Sequence, residues 1–164
     1  MGMMTRLRNL KTMPLTNTGN LQLGLNISLA QRYHTTNWLK STDFKMNIEE
    51  LRDYCLKKPA ATEGLPFGED TLVFKVAGKM FLLTGITAGN NFNVKCDPEL
   101  AVELREQYTE VQPGYHMNKK MWNTVYMDGS LTTKQLHQMI DHSYDLVFKG
   151  LPKKLQEEII SGNQ

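Results

Sequence analysis

Between Leu72 and Cys96 the chain writes three short apolar stretches joined by turns, and little but an antiparallel meander satisfies them. Leu72, Phe74 and Val76 alternate with Val73 and Lys75, and Ala77-Gly78 supplies a tight hairpin connection. Lys79 to Thr84 returns, with Met80 and Leu82 on one face and Phe81 and Leu83 on the other. Asn91 to Cys96 forms a third strand. Phe92, Val94 and Cys96 take one face, and Asn91, Asn93 and Lys95 the other. Parallel strands need a long crossover, and none is available here.

Helical signals flank the meander. Ile48, Leu51 and Cys55 recur at helical spacing behind an Asn47 cap, and Pro59 stops the run. Residues 61–68 contain two glycines and a proline and read as a loop. Asp97-Pro98 opens a second helix with Leu100, Ala101, Leu104 and Tyr108 as its apolar stripe. A strand from Val111 and another from Trp122 to Met127 follow, then an Asp128-Gly129 turn. Thr132 and Gln135 form a capping box for a last helix carrying Leu136, Met139, Ile140, Ser143 and Val147. Gly150 closes that helix as its left-handed terminator, and Pro152 prevents continuation. The order predicts an α+β fold: an antiparallel β-sheet with helices packed on one face. The other face keeps Lys75, Asn93, Lys95 and Asn123.

The 164 residues suit one domain with a tail. Six of the 19 basic residues and one of the 17 acidic ones lie in residues 1–45, which therefore carry +5 and leave −3 for residues 46–164. The first 45 residues lack sustained periodicity and are expected to be a non-globular N-terminal extension, disordered or not natively translated, with Met46 as the working start. A flexible tail and a transit peptide are the competing readings. The domain is expected over 46–154, with 155–164 as a short amphipathic C-terminal tail. No run approaches the ~18 apolar residues of a membrane span, and no secretory signal is evident. A cytoplasmic, monomeric protein is the expectation.

Chemistry is sparse. His34, His116, His137 and His142 make no metal-ligand spacing, and no phosphate loop or nucleophile elbow occurs. His137 reads as a solvated helix residue. Cys55 and Cys96 fall on apolar faces and read as inert buried thiols. Glu49, Glu50 and Asp53 invite a hard-cation reading, which would need them to converge with Glu69 or Asp70. The ordinary reading is a solvated helix face. No catalytic residue, metal or cofactor is predicted.

The densest mixture lies at 115–123, where cations, amides and aromatic rings crowd together as they do in phosphate- and base-contacting sites. The expected nucleic-acid-binding set is Lys75, Lys79, Lys95, His116, Asn118, Lys119, Lys120, Trp122 and Asn123, with Trp122 or Tyr115 stacking. The −3 of the domain opposes non-specific attraction to DNA, so a local basic patch is required. The alternative is a protein- or small-ligand-binding module using the same polar surface.

Several motifs carry a family resemblance. Pro66-Phe67-Gly68, Val73-Phe74-Lys75-Val76 and Gly78-Lys79-Met80-Phe81 come first. Asn93 to Pro98 with Leu104-Arg105 follows. Pro113 to Lys119, Trp122 to Val125, Asp128-Gly129 and Ile140 to Val147 complete the series. In this order they resemble the MmcQ/YjbR family over about residues 46–154. Met121 departs from the second His often found there. The resemblance implies a fold like that of the bacterial frataxin homologue (CyaY-like), DNA binding, and no known catalytic activity.

Overall fold

The computed structural model describes residues 45–162. The expectation for the N-terminal extension therefore lies, but for Lys45, outside the described residues. The elements run α1 (Ile48–Leu56), β1 (Ala61–Gly64), β2 (Thr71–Val76), β3 (Lys79–Gly85), β4 (Asn91–Lys95), α2 (Pro98–Gln107), β5 (Val111–Pro113), β6 (Trp122–Tyr126), α3 (Thr133–Lys149) and α4 (Lys153–Ser161). The strands form one sheet in the order β1-β2-β3-β4-β6-β5, and every neighbouring pair is antiparallel. This is the α+β antiparallel architecture that the meander demands.

Local signals place most elements. Asn47 and Glu50 close a capping box on α1, and Thr132 and Gln135 close one on α3. The Asp97 carboxylate caps α2 by accepting from the N–H groups of Glu99 and Leu100. Ala77 and Gly78 both have positive φ, 48° and 75°, as a type I′ hairpin turn requires.

Two elements depart from the sequence reading. Residues 61–64, expected in a loop, pair with β2 as an edge strand. This strand has no apolar alternation to announce it. Its backbone ladder and the grip of Arg52 on Glu63 hold it in place (2.7 and 2.5 Å). The expected tail after 154 is largely helical. Leu155 and Ile159, four apart, turn one side of α4 to the core. Gln156 donates from Nε2 to the carbonyl of Leu151 (2.7 Å) at the end of α3. Gly150 also lacks the expected left-handed turn, since its φ is −79°.

The core lies between the sheet and the helices. Phe74, Leu82 and Val94 stand side by side on the helix-facing side, and Phe92 and Val125 stand beside each other one pair further along. Leu51 and Cys55 of α1, Leu100 and Leu104 of α2, and Leu136 and Ile140 of α3 cover them. Full burial of such a side chain contributes about 1.5–3 kcal/mol. At the far end of the strands the Glu110 carboxylate ties the β6–α3 turn, accepting from the Ser130 N–H (2.5 Å) and hydroxyl (2.7 Å). Those bonds, the backbone one first, hold the Glu110 carboxyl down at about 2. On acidification the unfolded chain takes up this proton first. The stability from this contact is therefore complete above about 4.5, the ordinary carboxyl value, and is lost as pH falls toward 2. Glu110→Gln should flatten the acid limb of a stability-against-pH curve over that window and leave the neutral limb sloped as before.

Candidate functional site

The antiparallel connections bring one end of the sheet together. The exits of β2, β4 and β5 and the entries of β3 and β6 all lie there, because Val76 pairs with Lys79, Lys95 with Trp122, and Pro113 with Asn123. Lys75, Lys79 and Lys95 therefore share this end with the β5–β6 loop that carries His116, Lys119 and Lys120. Lys75 and Lys95 alternate with core residues and occupy the face away from the helices. Two strand spacings, roughly 10 Å, separate their backbones. The opposite end collects Glu69, Asp70, Glu110 and Asp128. These sheet and turn residues separate by charge along the strands, although Lys45, which donates to the Asp128 carbonyl (2.6 Å), and Lys134, in the first turn of α3, stand at the acidic end. Asp97 and Glu99 also sit at the basic end, but on the helix side, where the Asp97 carboxylate is engaged in capping α2.

The loop is tied down at several points. The Tyr115 N–H donates to the Thr124 hydroxyl (3.0 Å), which donates to the side-chain Oδ1 of the buried Asn93 (2.6 Å). Gly114 approaches β6 so closely that a Cβ there would lie 2.8 Å from the Trp122 Cβ and 2.9 Å from its carbonyl oxygen. Asn118 turns the chain by accepting from the Lys120 N–H (3.0 Å). Arg105 of α2 reaches under the loop. It donates from Nε to Asn123 Oδ1 (2.8 Å) and from Nη2 to the carbonyls of Lys119 (2.5 Å) and Trp122 (3.1 Å). His116 holds φ at 54°, a region that side chains other than glycine seldom adopt. Beside this loop opens a groove of about 650 Å³, lined among others by Gln112, Tyr115, His116, Lys119, Thr124 and Tyr126.

The structure redistributes the expected site residues. Lys79, His116, Asn118, Lys119 and Lys120 are exposed, and Lys75 and Lys95 are half-buried. Trp122 and Asn123 do not present themselves to a ligand. Trp122 is 9% exposed and Asn123 1%. Asn123, expected on the open face, shares the helix side with Val125 by strand alternation, and Arg105 engages its carbonyl oxygen. Trp122, Thr124 and Tyr126 occupy the open face of β6. Tyr115, 71% exposed, is the ring the loop offers, with Tyr126, 37% exposed, on the strand beside it. Sequence reasoning passed over Tyr126, although period-two alternation from Thr124 points to it.

The remaining candidates resolve into structural roles. His137 is not a free solvated residue, since it stacks on Tyr54 with ring centroids 3.6 Å apart. The Tyr54 hydroxyl donates to Asp141 (2.8 Å), and Lys58 pairs with the same carboxylate, so this group fastens α1 to α3. Burial and the Asp141 hydrogen bond hold the Tyr54 phenol well above its ordinary value. His142 accepts the Asp97 N–H on Nε2 (3.2 Å), and burial lowers its pKa. Cys55 and Cys96 are buried free thiols, each pushed up to about 12 by burial. Among the described residues no group of three or more His, Cys, Asp or Glu side chains could hold a metal, and no helix is long and apolar enough to cross a membrane.

An antiparallel six-stranded sheet, helices on one face and a fastened basic loop at one end define a small α+β domain. Comparison with known proteins gives that domain a family. The YjbR family pattern matches residues 56–146, more than half of the chain. Escherichia coli (strain K12) YjbR is 34% identical over 116 residues, covering 70% of this chain and 98% of the relative. Escherichia coli O157:H7 YbdF is 36% identical over 115 residues, covering 70% and 94%. A crystal structure of a Deinococcus radiodurans protein superposes with a TM-score of 0.65 at 38% identity, covering 70% of this chain and 88% of that one. One from Pseudomonas syringae gives 0.55 at 31%, covering 62% and 98%. The chain belongs to the YjbR family.

Proposed function

We propose that this chain is a non-enzymatic, cytoplasmic DNA-binding module, monomeric, that meets phosphates through Lys75, Lys79, Lys95, His116, Lys119 and Lys120. The observation that carries the reading is the gathering of these cations at one end of the sheet while the carboxylates of Glu69, Asp70, Glu110 and Asp128 lie at the other. Such separation lets a domain of net negative charge attract a polyanion locally and orient it. The loop carrying Lys119 and Lys120 is held by Arg105 and Thr124, so little ordering entropy opposes contact. The frataxin-like kinship implied by the sequence belongs to the same proposal. Its support is the packing of helices on one face of an antiparallel sheet.

The test is fluorescence anisotropy of the full chain with labelled DNA across a salt series. Each phosphate contact adds about 0.7–0.9 to the slope of log affinity against log salt. Lys119→Ala/Lys120→Ala should weaken binding and lower that slope by about 1–2. No binding at low salt would remove the DNA reading. The second reading, a small-ligand or protein-binding module, would then take its place. The groove beside His116 favours it, since its volume of about 650 Å³ suits a small organic ligand.

A further inference from the structure

We infer that the groove beside the β5–β6 loop accepts an unpaired base of single-stranded DNA, with the phosphates next to that base resting on Lys119 and Lys120. The inference deepens the nucleic-acid reading and rests on it. Tyr115 and Tyr126 line the groove and are 71% and 37% exposed. An aromatic ring left in water at the wall of a cavity gains by stacking on a flat partner, and every base offers one. The ring of His116 lies edge-on against that of Tyr115, with centroids 4.0 Å apart at 60°, and extends the wall it forms.

The floor is built rather than loose. Thr124 holds the Tyr115 backbone and is itself held by Asn93. Gln112, opposite Thr124 on β5, is anchored through Nε2 to the Thr109 carbonyl (2.7 Å). At about 650 Å³ the opening has room for a nucleotide, whereas a paired duplex keeps its bases stacked inside and cannot lay one against either tyrosine. Charge selects the same occupant. Lys119 lines the groove and Lys120 follows it, both exposed. Glu110, whose backbone carbonyl accepts the Tyr126 N–H (2.9 Å), has its carboxylate turned to Ser130.

The test compares the full chain's affinity for labelled oligothymidylate, the same strand with abasic sites, and a duplex of equal charge. The base-bearing single strand should bind about five- to hundredfold more tightly than the abasic one. Tyr115→Ala should erase most of that ratio and Tyr115→Phe should keep it. Aminopurine placed in the strand should lose fluorescence on binding to wild type and less so to Tyr115→Ala. Tyr115 is exposed, so its variants should fold as wild type does. Equal affinity for the abasic strand, or for the duplex, overturns the inference while leaving the phosphate contacts standing. Absence of binding to all three overturns both readings.

Discussion

Ser143→Ala is expected to destabilise the domain by about 2–5 kcal/mol, although Ser143 lies in no groove and faces no solvent. The reason is a gap in the sheet. Leu82 of β3 pairs with Val94 of β4, so continuing the ladder would set Phe81 against Lys95. The pairing stops short of that, because β3 bulges at Phe81 where its register with β2 shifts between Phe74 and Lys75. Ser143, fully buried on α3, fills the break. Its hydroxyl accepts the Lys95 N–H (2.8 Å) and donates to the Phe81 carbonyl (2.5 Å). One side chain thus relays a bond the strands would otherwise make directly. Alanine leaves a buried donor and a buried acceptor unpaired, each worth about 1–3 kcal/mol. Urea unfolding reads the loss as a lower midpoint at unchanged slope, and the melting temperature should fall by on the order of 10 °C. A loss below about 1 kcal/mol would mean that the strands close the gap themselves.

That contact marks where sequence stops being legible. The β2–β4 meander, the caps at Asn47, Asp97 and Thr132, and the I′ turn at Ala77-Gly78 are written locally, in period and in residue type, and the chain obeys them. β1 is not written so, because an edge strand with two exposed residues in four needs only a partner's backbone. The same holds for Asn123. An amide looks like surface chemistry until an arginine eighteen residues earlier is known to reach it. His137 stacking on Tyr54 and Ser143 splicing the ladder are likewise meetings of distant residues. The basic end stands between these cases. Its composition can be read from the loop, but its union with Lys75, Lys79 and Lys95 depends on strand order. The open face of β6 was half legible. Alternation assigns Thr124 and Tyr126 to it, yet nothing in the order of residues shows that Trp122, on that same face, is buried.

Arg105→Ala should cost about 2–4 kcal/mol and, unlike the serine change, should also alter the candidate site. Arg105 is partly buried, and that burial lowers its pKa, as expected for a cation drawn out of water. Its guanidinium satisfies three acceptors from a single edge: Asn123 Oδ1 and the carbonyls of Lys119 and Trp122. Alanine leaves the Asn123 oxygen buried without its donor and cuts the loop's tie to α2. Lysine carries the charge but not the planar fork, so Arg105→Lys should recover only part of the loss. Two measurements separate the effects. Denaturant unfolding reports the stability lost. Trypsin cleavage after Lys119 and Lys120 under native conditions reports whether the loop has come free, and should quicken by on the order of tenfold for about 1.4 kcal/mol of lost local stability. If the loop were held by Thr124 and Gly114 alone, cleavage would stay at the wild-type rate while global stability fell. If cleavage quickens and DNA affinity drops with it, Arg105 acts as a positioning residue for Lys119 and Lys120, since its guanidinium points inward to Asn123 and the loop carbonyls.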